Sequence, residues 1–104
     1  MARFATDGGA FEVESLPGQA QVAICHSFFV KADRRNQHHG HALKALQNII
    51  IKEMNFDYAI CTVSSKNEAQ KKVLTKAGWM FLTNFENRRL NEITEIWGHE
   101  QKQV

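Results

Sequence analysis

The chain has 104 residues, 43% of them hydrophobic, with a formal charge of +2. That length is one domain. The charge is too small to argue for nucleic acid, and no apolar run reaches the roughly 18 residues that would span a membrane. The beginning of the sequence carries no apolar stretch of signal-peptide length. Cys25 and Cys61 both fall in apolar stretches. Buried free thiols and a reducing, cytoplasmic setting are therefore expected.

Residues 1–30 read as an antiparallel meander. Asp7-Gly8-Gly9 is a turn signal. In residues 10–15 Phe11 and Val13 alternate with Glu12 and Glu14, the pattern of a half-buried strand. Leu16-Pro17-Gly18-Gln19 places proline then glycine as a type II turn requires, and residues 20–30 form a long apolar strand whose side chains at Phe28, Phe29 and Val30 are expected in the core. From residue 40 to residue 55 the period changes. Leu43, Leu46, Ile49, Ile50 and Met54 recur every three or four residues and predict one buried helical face. Residues 56–63 are a continuous apolar strand, so strand, helix and strand suggest a parallel right-handed crossover. Asn67, with Gln70 three residues on, caps a second helix. Its inner stripe is Ala69, Val73 and Ala77, and Gly78 ends it. Two apolar runs flank Glu86-Asn87-Arg88-Arg89 and predict a terminal hairpin over residues 80–99.

The run Gln37-His38-His39-Gly40-His41-Ala42 joins the long strand to the first helix. The first amides of a helix lack intrahelical partners and sit at the positive end of its dipole, so such a turn can hold phosphate groups. The alternative reading is an ordinary strand-to-helix turn. The spacing Gln-x-x-Gly-x-Ala resembles the Q/R-x-x-G-x-G/A signature of the GNAT superfamily, the acetyl-CoA-dependent N-acetyltransferases. The strand exit Phe28-Phe29-Val30-Lys31-Ala32-Asp33 is similar to that family's. So is the later run from Asn67 to Ala77-Gly78-Trp79, where an asparagine opens a helix that ends in glycine and an aromatic residue. The resemblance covers about residues 20–99. It implies an α/β (α+β) fold: a single mixed sheet in the order β-β-β-α-β-α-β-β, with the meander and the hairpin around a central parallel crossover. Residues 1–30 would be the meander, 31–79 the coenzyme-binding core and 80–99 the hairpin. The strand and helices that usually precede this core in the family are missing from the pattern, which bears on the acceptor side of the cleft.

The resemblance implies a cosubstrate, acetyl-CoA. Backbone amides of Gln37, His38, His39, Gly40, His41 and Ala42 would hold its pyrophosphate, with Arg35 outside them. Phe28, Phe29 and Val30 would pair through their backbone with the pantetheine arm, and Asn67 would touch that arm as well as cap its helix. His38 stands where the family often has glycine, and its Cβ implies a more ordinary backbone and weaker binding. Leu74 stands where the family often has an acidic tyrosine, and the single tyrosine, Tyr58, does not align with it. The oxyanion donor would be the backbone amide of Val30. His26 is the best-placed base, because an imidazole titrates near neutrality, with Ser64 and Ser65 as possible water relays. The histidines at 38, 39 and 41 bring at most two ligands together, so no metal is expected.

The leading reading is therefore transfer of acetyl from acetyl-CoA to a primary amine by direct attack. The alternative is a catalytically degenerate domain of the same fold that works by contacting another protein. A nucleic-acid module would rest on Arg34-Arg35 and Arg88-Arg89 alone. A homodimer through Phe85, Leu90, Ile93, Ile96 and Trp97 of the hairpin is compatible with either of the first two. The sequence leaves the amine acceptor unidentified.

Overall fold

The computed structural model describes residues 1–35 and 38–101. Turn chemistry builds the meander: β1 (Ala2–Thr6), β2 (Gly9–Leu16) and β3 (Gln19–Val30) pair antiparallel in sequence. Gly18 takes φ 81°, the left-handed value that the third place of a type II turn needs. A short 3-10 turn (Ala32–Arg34) leads to α1 (His39–Glu53), which crosses over to β4 (Tyr58–Ser64), parallel to β3. Helix α2 (Glu68–Lys76) follows, opened by Asn67, whose Oδ1 accepts the Gln70 amide at 3.1 Å. The hairpin of β5 (Met80–Asn87) and β6 (Glu92–Glu100) completes one six-stranded sheet in the order β1-β2-β3-β4-β6-β5. The mixed sheet and the expected element order are both present. The hairpin turn lies two residues later than expected, over residues 88–91, where the Asn87 side chain accepts the Leu90 amide and Asn91 takes φ 51°.

Both helices pack on one face of the sheet. The core joins Phe11, Val13, Ala23 and Cys25 from one half of the sheet to Ala59, Cys61, Val63 and Trp97 from the other, beneath Leu43, Ile51, Leu74 and Trp79. Phe11 and Leu74 have no exposed surface, and such burial stabilises by about 1.5–3 kcal/mol per side chain. The opposite face carries Ile24, Tyr58, Ile60 and Ile96, all half-buried.

Several expectations are corrected. Helix α1 is rotated away from its predicted apolar stripe: Leu43, Lys44, Gln47 and Ile51 are buried, while Ile49 and Met54 are exposed. Five apolar positions at helical spacing are compatible with more than one rotation, and neighbours chose a face that buries Lys44 against aromatic rings. In α2 the innermost residue is Leu74, flanked by Val73 and Ala77, and Ala69 is exposed. Phe29 is also exposed rather than in the core. The reason is a β-bulge. Between the pairs Ala10↔Phe29 and Glu12↔His26, strand β3 carries one residue more than β2, and Ser27 there takes φ 55°. One extra residue inverts the alternation. Ala23 and Cys25 point to the core before it, and Phe28 and Val30 after it.

Of the hairpin residues named for a dimer, Phe85 and Leu90 are exposed, Ile93 and Ile96 are half-buried and Trp97 is in the core. The exposed apolar surface shifts instead to the edge strand β5, with Met80, Phe81, Leu82 and Phe85.

Candidate functional site

Strands β3 and β4 are paired only at Val22↔Tyr58, Ala23↔Ala59 and Ile24↔Ile60. Beyond that point β3 stays with β2 and β4 stays with β6, and the sheet forks. The bulge at Ser27 bends β3 on its side of the fork. Backbone groups of β3 beyond the bulge are thus left without a neighbouring strand. The Lys31 amide donates to the Gly8 carbonyl. Antiparallel alternation therefore turns the amide and carbonyl of the preceding residue, Val30, away from β2 and towards the fork. The Val30 carbonyl accepts the Arg35 Nε at 3.1 Å. Its amide is aimed at the opening.

Above the fork, on the helix side, lies a cleft of about 860 Å³ between the starts of α1 and α2. Phe28, Phe29 and Val30 form its floor, Arg35, His38, Gly40 and His41 one wall, and Asn67, Ala69, Gln70, Lys72 and Val73 the other. Arg35 and Lys72 are cations, and no carboxylate lines the cleft among the described residues. Two chain segments far apart in sequence thus converge on one anion-friendly space at a helix N-terminus.

The predicted residues divide on this geometry. Phe28, Phe29, Val30, Arg35, His38, Gly40, His41 and Asn67 meet at the cleft. His39 and Ala42 face a separate shallow groove beside Thr6 and Gly8, and the Ala42 amide is already bonded to the His38 carbonyl at 3.2 Å. The amides of His39, Gly40 and His41 are those left over in the first turn of α1. Gln37 lies outside the described residues. Leu74 points into the core, so Val73 and Gln70, not Leu74, face the cleft. Lys72 has no signal in the sequence, and Gln70 is expected there only as the capping partner of Asn67, although the helical phase set by Asn67 carries it to the same side.

His38 is the N-cap of α1 with φ 63° and ψ 13°, and its side chain makes no cap hydrogen bond. The expectation of an ordinary backbone here is therefore overturned: the turn keeps the left-handed conformation that favours glycine, and the histidine carries the strain. His38→Gly should raise stability by roughly 0.5–1 kcal/mol, because the strain of a left-handed non-glycine residue is removed. Denaturant unfolding checks this, and an unchanged or lower midpoint would contradict it.

His26 lies on the opposite face of the sheet from the cleft. Its Nε2 is 3.8 Å from Glu14 Oε2 and its Nδ1 is 3.1 Å from Ser27 Oγ. On the other side of the fork the Ser64 hydroxyl donates to Glu92 Oε2 at 2.9 Å. Beneath the floor of the cleft lies a residue that sequence reading passed over. Lys44 is 1% exposed. Its Nζ is 3.9 Å from the Trp79 ring centroid and 5.2 Å from that of Phe28. Burial holds its amine below the ordinary lysine value, and burial pushes the Cys25 thiol up to about 12.

No family model matches the sequence, and no curated protein matches it significantly. Solved structures do. An acetyltransferase from Bacillus subtilis in complex with CoA superposes at TM-score 0.81 and 12% identity, over 93% of this chain and 72% of that one. A ribosomal-protein alanine N-acetyltransferase from Escherichia coli gives TM-score 0.77 at 14% identity, over 93% and 63%. An acetyltransferase of the GNAT family from Streptococcus pneumoniae gives 0.77 at 12%, over 89% and 59%. The chain spans 59–72% of the length of these structures. Its fold is the GNAT acetyltransferase fold.

Proposed function

We propose that this domain is an N-acetyltransferase that moves acetyl from acetyl-CoA to a primary amine. The single observation that carries the reading is the fork between β3 and β4 beneath a cationic cleft at the start of α1. Acetyl-CoA, when bound, would supply a thioester whose carbonyl carbon is the electrophile. In this chain the amides of Gly40 and His41 bind pyrophosphate oxygens, and Arg35 and Lys72 supply charge around them. The free edge of β3 at Val30 pairs with the extended arm as another strand would, and the Val30 amide is the donor for oxygen charge that develops during attack. His26, braced by Glu14, takes the proton of an amine arriving from the other face of the sheet. Holding the two reactants on opposite sides of one fork supplies orientation.

Replacing Arg35 and Lys72 together by alanine should weaken CoA binding about 10- to 100-fold and flatten its salt dependence, because two charge-assisted contacts are lost. Calorimetric titration at two ionic strengths checks this, and unchanged affinity at both would count against the cleft as the phosphate site. One observation favours the second reading, a domain that works by contact. β5 is an edge strand with Met80, Phe81, Leu82 and Phe85 exposed, which is a surface suited to a partner. A partner captured equally well by a variant with an obstructed cleft would support that reading.

A further inference from the structure

Lys44 presents a problem that stability does not explain. A buried cation is costly unless it is paired, and Lys44 forms no ion pair among the described residues. Its partners are the faces of Phe28 and Trp79, which offset only part of that cost. The titratable groups around it are Cys25 on β3, Cys61 on β4 and His99 on β6, none of them a carboxylate. Methionine or leucine would fill the same space without the cost.

Its position suggests a use. Ile24↔Ile60 is the last pair of the parallel ladder. Cys25 and Cys61 are the next residues on each strand, so they mark the apex of the fork, and Lys44 sits over them. Lys44 is also four residues on from Gly40, one helical turn deeper on the same face. Its amine is 5.2 Å from the ring centroid of Phe28, a residue of the cleft floor.

We propose that Lys44 is a fixed positive charge that stabilises the coenzyme thiolate as it leaves. This rests on the coenzyme reading above. The acceptor nitrogen's lone pair attacks the carbonyl carbon, the C–N bond forms, and the C–S bond breaks with its electron pair on sulfur. The acceptor's proton passes to His26 and then to water. The thiolate, held near the ammonium, takes up a proton as it departs, giving the amide and free coenzyme thiol. A cation buried beneath the cleft floor acts much more strongly than it would in water.

The test uses the full chain and CoA itself. Calorimetry first establishes that wild type and Lys44→Met both bind CoA. The thiol of bound CoA is then titrated by the ultraviolet absorbance of its thiolate. The same titration of each protein without CoA gives the baseline for its own thiols and Tyr58. In wild type the bound thiol should titrate about one to two pH units below free CoA, the effect expected of an opposite charge close by. In Lys44→Met that depression should vanish with CoA affinity changed by less than about threefold. Lys44→Gln carries the same comparison if the methionine variant does not fold. Equal thiol titration in wild type and variant, with binding intact, overturns the role of Lys44 and leaves the coenzyme site standing. No CoA binding by wild type overturns both.

Discussion

Gly40→Glu should abolish CoA binding and leave the fold in place. A Cβ built at Gly40 meets Val73 Cγ2 at 3.4 Å and Val30 Cγ2 at 3.7 Å. Both are ordinary contacts, so the backbone need not move. Gly40 lines the cleft, so a glutamate there can place its carboxylate on the amides and the positive helix end that phosphate would use. An acidic residue in the first turn of a helix is itself favourable, so the helix should be no less stable. Electrostatic repulsion and lost volume then act together on the ligand, and affinity should fall more than about 100-fold, near 3 kcal/mol. Calorimetry gives the affinity, and thermal unfolding within a few degrees of wild type gives the control. Retained binding in a folded Gly40→Glu protein would mean that the ligand, if any, sits elsewhere.

Gly9→Val should be the most damaging small change in the sheet. A Cβ at Gly9 collides with the Phe29 carbonyl oxygen and lies 3.1 Å from a Leu43 methyl. Backbone cannot give way as a flexible side chain can, so β2 must shift against the end of β3 and the start of α1. That is the part of the sheet that orients Val30. Valine suits a strand in general, so any loss reports the collision and not β-propensity. Stability should fall by about 3 kcal/mol or more, in the range of overpacked core substitutions. Gly18→Ala makes the comparison. Gly18 has nothing near its Cβ but takes φ 81°, so conformational strain alone should cost about 1 kcal/mol. Urea unfolding of both variants checks the contrast, and equal losses would contradict the steric argument.

Much of this architecture was legible in the residues. Pro17-Gly18 gives the turn that it announces, the change of period near residue 40 marks the crossover, and Asn67 caps α2. The convergence of Val30, Gly40 and Asn67 follows from that order of elements. What was hidden depends on tertiary choice. Phe28-Phe29-Val30 is apolar throughout, so it carries no alternation from which a bulge at Ser27 could be read. The rotation of α1 was underdetermined because Leu46, Ile49 and Leu43 span a wide arc, and nothing local says that Lys44 can be buried when two rings flank it. The left-handed turn at His38 was hidden by a side chain that usually avoids it. The end of the β3–β4 pairing at Ile24 and Ile60, on which the site depends, is a matter of register that no single segment encodes.

The proposed role of the forked cleft is to hold the coenzyme. Amide chemical-shift mapping of the wild-type protein with CoA tests it most directly. Saturable shifts should centre on Val30, Gly40, His41 and Asn67, with the edge strand β5 unmoved. An absence of shifts at millimolar CoA, or shifts confined to β5, would contradict it.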